Sequence, residues 1–299
     1  MQYEALNVFP LKTLLTAAES GQYAVGSFSP RCTSMIAPIL RAGELVRSPL
    51  IVQISQKELV WSGLTPREFG RAFYEQVREQ RPTVPVALHL DHTWTVEIIH
   101  EAIDSGFTSV MIDASSSPLE ENIAITREVT KHARARGVSV EAELGRIFSA
   151  DTMETDSDEE LYTDPVEAER FVRETGVDAL AVSVGTAHGV YMVRQPRIDL
   201  ERLRAIRERT PVHMVLHGGS GVPKELLDAA IRLPGGGVSK VNIATDLEQA
   251  LLAVLQKEQR IPNAELLRLP AEDLARCAEA VQGVVVDKMV NFLGSSNQA

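Results

Sequence analysis

The 299-residue sequence predicts an α/β fold, a (β/α)8 TIM barrel with extra terminal helices. Three observations carry that prediction. Eight short, apolar, β-rich runs recur with starts 25 to 40 residues apart, each gap long enough for one right-handed crossover helix. The run Val84-Pro85-Val86-Ala87-Leu88-His89-Leu90-Asp91-His92 is apolar enough for a strand buried on both faces, yet it ends in a carboxylate beside an imidazole. Two further runs also lead into a histidine, so polar chemistry collects where several strands leave the core, the place where parallel α/β folds keep their active sites.

In chain order, an N-terminal helix is expected around Pro10 to Ser20. Strands are expected near Ala24–Phe28, Leu50–Ile54, Val84–Leu90, Ser109–Asp113, Ser139–Leu144, Ala179–Val184, Val212–Leu216 and Val238–Ile243. Ser117-Pro118-Leu119-Glu120 offers an N-cap, a proline at the first helical position and an acid in the first turn, for a helix that stops near Gly137. Thr163-Asp164-Pro165-Val166-Glu167 repeats the signal. The polar, acidic stretch from Ser149 to Glu160 follows a strand end, so it reads either as a solvated loop or as a segment that closes over the site. Ala271 to Leu293 alternates apolar and charged residues at helical spacing, consistent with packing on the barrel or on a neighbouring subunit. No linker or repeat argues for a second domain, and residues 1–299 are expected to form one.

Lys and Arg number 30 against 41 Asp and Glu, a net charge of −11, which gives no electrostatic support to nucleic-acid binding or to an anionic membrane surface. An anionic substrate must then be held locally, by backbone N–H groups, a metal or a few basic side chains. Cys32 and Cys277 form no disulfide framework or Cys-rich zinc site, which fits a reducing cytosol. Met1-Gln2-Tyr3-Glu4-Ala5 starts no secretory signal, and no run reaches the ~18 apolar residues of a membrane span. The expectation is a soluble, cytoplasmic protein.

The strand ends supply the chemistry. One strand leads into Asp91-His92, another into Gly185-Thr186-Ala187-His188-Gly189, and a third into His217-Gly218-Gly219-Ser220-Gly221. Three imidazoles at one end of a barrel, with a position left open, make a catalytic zinc arrangement. His100 and His132 lie in helical stretches and His213 starts a strand, so none is expected in the site. His89 shares a strand face with Asp91 and is either a supporting or a packed residue. Asp113 and Glu143 end two more strands, where they serve either a second metal position or the orientation of the histidines. The loops Gly218 to Gly221 and Asn242-Ile243-Ala244-Thr245-Asp246 follow the seventh and eighth strands, the usual phosphate site of such barrels.

These residues, from about Ala24 to Thr245, resemble the class II, zinc-dependent ketose-bisphosphate aldolases, the family of fructose- and tagatose-bisphosphate aldolases. The resemblance rests on six motifs in order: His89-Leu90-Asp91-His92, Met111-Ile112-Asp113, Val140 to Gly145, Gly185 to Tyr191, Leu216 to Gly221 and Lys240 to Thr245. It implies that Asp91 is the acid/base, that His92, His188 and His217 hold a catalytic Zn2+, and that Asp113 and Glu143 line an alternative divalent position. It further implies that Gly189, Gly218, Gly219, Ser220, Asn242, Ile243, Ala244 and Thr245 hold the phosphate of dihydroxyacetone phosphate beside a monovalent cation, Na+ or K+. Ser55 joins the expected substrate contacts, and a homodimer or homotetramer is the expected assembly. Cleaving the C3–C4 bond of a ketose leaves an enediolate, which zinc on neutral imidazoles can stabilise while Asp91 takes the C4 hydroxyl proton.

The chain also departs from that family. Ala114-Ser115-Ser116 stands where Gly-Ser-His is usual, Ser27-Phe28-Ser29 where Ala-Phe-Asn is usual, and Phe148-Ser149 where Gly-Gly is usual. Met192-Val193-Arg194 lacks the usual lysine, with Arg194 a stand-in, and the C-terminal Asp-Pro-Arg signature is not recognisable near Arg260-Ile261-Pro262. The expected substrate is a phosphorylated ketose, fructose 1,6-bisphosphate first, with tagatose bisphosphate or a ketose 1-phosphate as alternatives. Rival readings are Schiff-base chemistry through Lys240, a non-catalytic sugar-phosphate-binding paralogue, and a zinc hydrolase.

Overall fold

The computed structural model describes residues 4–147, 161–187, 189 and 196–299. Eight parallel strands close a barrel in sequence order: β1 (Val25–Phe28), β2 (Leu50–Ser55), β3 (Val86–Thr93), β4 (Ser109–Ile112), β5 (Ser139–Leu144), β6 (Ala179–Val182), β7 (His213–Leu216) and β8 (Val238–Ile243). The ring closes through β1 and β8, with Ser27 opposite Asn242. Each observed strand overlaps the run expected for it. The first, second, fourth, sixth and seventh bounds differ from expectation by one or two residues at an end, and the third strand starts at Val86 rather than Val84 and runs on past His92 to Thr93.

The barrel interior is layered. At the bottom, Val25, Ile51, Ala87, Met111, Ala179, Ala181 and Val215 pack on Leu11, Leu14, Leu15 and Ala18 of the helix Leu11–Gly21, which seals that end. Two residues further up the same strand faces, the lining turns polar with Ser27, Gln53, His89, Glu141 and Lys240, all buried. Another step up, at the mouth, stand Ser55, Asp91, Asp113, Glu143, His217 and Asn242. The alternate residues, such as Val52, Leu88 and Leu90, face the surrounding helices in the larger core.

Capping explains several helix starts. Ser55 caps Gln56–Ser62 and Thr65 caps Pro66–Gln80, each with a reciprocal glutamate three residues on. Asp164 caps Pro165–Thr175 and accepts from the N–H groups of Val166 and Glu167, as its motif predicts. The helix expected from Ser117 begins instead at Leu119 with Pro118 at the cap, and ends at Arg134. Pro118 is extended at ψ 151°, so it stands just outside the helix, and Glu120 and Glu121 supply the acids of the first turn. The tail forms a helix at Ala271–Asp287 continued by a π-turn at Lys288–Phe292, packed on the helices Ile36–Val46 and Thr245–Leu255. No helix among the described residues is long and apolar enough to cross a membrane. The acidic stretch from Ser149 to Glu160 and the residues His188, Met192, Val193 and Arg194 lie outside the described residues.

Candidate active site

Strict alternation would send Asp91 and His92 to opposite faces of β3. The pairing of β3 with β4 shifts register between Leu90 and Thr93, and His92 takes a positive φ of 24°. A bulge of this kind re-aims side chains. Both residues consequently serve the barrel mouth.

Asp91 is held from two sides. Asn242 Nδ2 donates to its two oxygens at 3.0 and 3.2 Å, and Gln53 Nε2 donates at 3.2 Å. Gln53 is fixed in turn by the Ser27 hydroxyl. Lys240 Nζ lies 3.8 Å and His89 Nε2 3.6 Å from Asp91 Oδ1. Burial works to raise the Asp91 carboxyl, but His92, His89, Lys240 and His217 together hold it well below the ordinary carboxylate range. Asp91 is therefore an ionised carboxylate with fixed orientation. The Asn242 Oδ1 atom beside it is buried with no hydrogen-bond partner among the described residues, an acceptor available to a bound hydroxyl.

His92 and His217 meet edge to face, ring centroids 4.4 Å apart. His92 Nδ1 lies 3.0 Å from Asp113 Oδ2, and Asp113 Oδ1 accepts from Ser115 N and Oγ. His217 Nε2 is hydrogen-bonded to Glu141 Oε1 at 2.8 Å, which turns its Nδ1 towards Glu143 Oε2 at 3.6 Å. Burial and the neighbouring His92 lower the His217 pKa, keeping a neutral imidazole. His92 goes the other way: burial lowers it, but Asp91, Asp113 and Glu143 push it up to about 10.

The donor set fits a divalent cation. Among the described residues Asp91, Asp113, Glu141 and Glu143 are four acids in one cluster with a single lysine, and Asp91, His92 and His217 on one side and His92, Asp113 and Glu143 on the other each bring ligand atoms within 4.8 Å of one another. Glu143 Oε2 is buried without a hydrogen-bond partner among the described residues. Burial and the Asp113 charge push the Glu143 carboxyl up to about 8, outweighing the opposing pull of His92. Of the expected trio, His92 and His217 are brought together, and His188 falls outside the described residues.

The loops after β6, β7 and β8 interlock where side chains are missing. Gly218 has φ +66°, and a Cβ there would stand 2.1 Å from Ala187 O; one on Gly219 would meet Val241 Cγ1 at 2.3 Å. Gly219 N donates to Asn242 O, and Asp246 N donates to Ser220 Oγ. Ile243 ends β8, Ala244 caps the helix Thr245–Leu255, and that helix starts at the mouth. Gly189 is described with φ 104°. Ser55 sits at the end of β2 with its hydroxyl engaged by Glu58.

Of the other histidines, His213 is bonded to Glu19 at the sealed end, and His100 stacks on His132 between two outer helices, as expected away from the mouth. His89 is a buried supporting residue, its Nδ1 bonded to Ser109 Oγ at 2.8 Å. The sequence reading missed Glu141, Gln53 and Glu58. Glu141 was visible two residues before Glu143, on the same strand face.

A closed barrel whose strand ends gather an oriented, ionised carboxylate and side chains that could hold a cation has the site placement of an α/β-barrel enzyme. The family model for class II fructose-bisphosphate aldolase matches residues 10–298. A fructose-bisphosphate aldolase of Helicobacter pylori is 37% identical over 95% of this chain and 97% of its own. A 6-phospho-5-dehydro-2-deoxy-D-gluconate aldolase of Halalkalibacterium halodurans is 38% identical over 94% and 95%. The crystal structure of the YdjI aldolase from Escherichia coli K12 superposes with a TM-score of 0.82 at 31% identity, covering 98% of this chain and 99% of that one. The chain belongs to the class II fructose-bisphosphate aldolase family and is an aldolase, a carbon–carbon lyase of a generally zinc-dependent family.

Proposed function

We propose that this aldolase is zinc-dependent and reversibly splits a ketose carrying a phosphate at C1 into dihydroxyacetone phosphate and an aldehyde. The observation that carries the reading is the placement of ionised Asp91, held by Asn242 and Gln53, beside the His92–His217 pair. His92, His188 and His217 would hold the zinc, with Asp113 and Glu143 lining the alternative divalent position. When bound, the ion supplies positive charge where cleavage develops negative charge on the two oxygens of the dihydroxyacetone half.

Asp91 takes the C4 hydroxyl proton during cleavage and returns it during condensation. Asn242 fixes the Asp91 carboxylate and offers its own Oδ1 to a substrate hydroxyl. Gly189, Gly218, Gly219 and Ser220, with Asn242, Ile243, Ala244 and Thr245, hold the C1 phosphate beside a monovalent cation, and Ser55 belongs to the wall on the other side of Asp91. The Lys240 ammonium is buried and paired with Glu141, which argues against a Schiff base. A cytoplasmic homodimer or homotetramer completes the reading.

Relatives of nearly equal identity bear the names of two different substrates, so likeness does not choose the sugar. A coupled assay for dihydroxyacetone phosphate over a panel of ketose phosphates tests the proposal. Release is expected from sugars with a C1 phosphate and is nearly abolished without it. Borohydride trapping of substrate on Lys240 would contradict it.

A further inference from the structure

The wall between β1 and β2 is built on one buried carboxylate, Glu58. Its Oε2 accepts from Ser29 Oγ at 2.8 Å, Ser55 N at 2.9 Å and Ser55 Oγ at 3.0 Å, and its Oε1 accepts from Arg31 Nε at 2.8 Å. A capping box needs only the Ser55 N–H. Two of the additional donors, Ser29 and Arg31, come from the loop after β1, where Arg31 adopts a positive φ of 55°. Arg31 also pairs through Nη1 with Glu248. Arg260 closes on the same Glu248, with Nη2 at 2.9 Å, and lies 3.8 Å over the Trp61 ring. Two guanidinium groups thus face two carboxylates, and the cluster is neutral. Burial opposes the Arg31 charge, yet Glu58 and Glu248 hold its pKa above the usual value.

The wall stands next to the proposed proton acceptor. Ser55 pairs in register with Asp91, and Gln53, two residues below, donates to Asp91. Asp113 and Glu143 belong to β4 and β5, on the side of β3 away from β2. On the aldol reading, a ketose whose C4 hydroxyl faces Asp91 would have the Glu58 wall on the β2 side open to C5 and the atoms beyond it.

Resting on the aldol reading above, we propose that Glu58 is a specificity-determining residue that closes the β1–β2 wall to a second phosphate, so that the aldehyde half of the substrate is an unphosphorylated, hydroxylated chain. A phosphate there finds Ser29, Ser55 and Arg31 already engaged by Glu58, and the paired Arg31 leaves no net positive charge to hold it. A neutral hydroxylated chain meets the same carboxylate as a hydrogen-bond acceptor.

The test compares kcat/KM for dihydroxyacetone phosphate release from matched ketohexose 1-phosphate and 1,6-bisphosphate, using full-length zinc-loaded protein and its Glu58→Gln variant. Gln keeps the shape and the acceptor for the Ser55 N–H but removes the charge. The wild type is expected to favour the 1-phosphate, and Glu58→Gln to shift the ratio towards the bisphosphate by about tenfold or more, the size of one charged contact. A wild type that cleaves the bisphosphate as well as or better than the 1-phosphate, or a folded Glu58→Gln protein with the wild-type ratio, overturns the inference while leaving the aldol reading intact. The wild-type ratio decides even if the variant does not fold. No release from either sugar by zinc-loaded protein overturns the aldol reading and this inference with it.

Discussion

Lys240 Nζ stands 2.7 Å from Glu141 Oε2, and both side chains are fully buried inside the barrel. Glu141 spends its other oxygen on His217 Nε2, so one carboxylate couples a buried cation to an imidazole at the mouth. Such a partner fixes the tautomer and the aim of a histidine ligand.

Removing the lysine strands the acid. Lys240→Met should cost about 3–5 kcal/mol of stability, because Glu141 is left as an uncompensated buried charge. Adding Glu141→Gln should recover most of that loss, while metal affinity stays about 10- to 100-fold weaker than in the wild type. Chemical denaturation and competition with a zinc chelator measure the two effects separately.

Asp91 tests the proton step. Asp91→Ala should lower turnover by roughly 100-fold or more while leaving the zinc content unchanged. Turnover that falls only in proportion to lost metal would make Asp91 an orienting residue instead.

Most of the fold was legible because a parallel barrel strand is buried on both faces and reads as a short apolar run, such as Leu50–Ser55 or Ala179–Val182. The mouth was legible in part, since Asp113, Glu143 and His217 follow simple alternation up their strands. Asp91 and His92 on one mouth were not, because that depends on a register shift and a φ of 24° that no pattern of residue types announces. Glu58 was not legible either: its partners Ser29 and Arg31 come from the loop after β1, far from it in sequence, and its spacing after Ser55 signals only a helix cap.

The interlocked loops should resist substitution. Gly218→Ala places a Cβ 2.1 Å from Ala187 O in a left-handed backbone that costs an L-residue ~1–2 kcal/mol before the clash is counted. A lowered melting temperature and a raised KM for the sugar phosphate are expected. An unchanged KM would take this loop out of phosphate binding.

The stacked His100–His132 pair predicts a pH effect away from the site, at a centroid separation of 3.8 Å. Burial, then the charges of His100 and Arg136, lower the His132 pKa from 6.5, so the folded protein binds this proton less readily than the unfolded chain. The corresponding stability is fully present above pH 6.5 and is lost as the pH falls through the depressed value. Between pH 6.5 and 5 the wild type should lose more stability than His132→Phe, which keeps a ring on His100 without the titration. Parallel melting curves for the two proteins across that range would contradict this.

The most direct test of the central claim is metal removal with the metal content measured. Dialysis against a chelator should abolish release of dihydroxyacetone phosphate while circular dichroism still reports a folded barrel, and stoichiometric zinc should restore the activity. Full activity in protein verified to be metal-free would contradict the account.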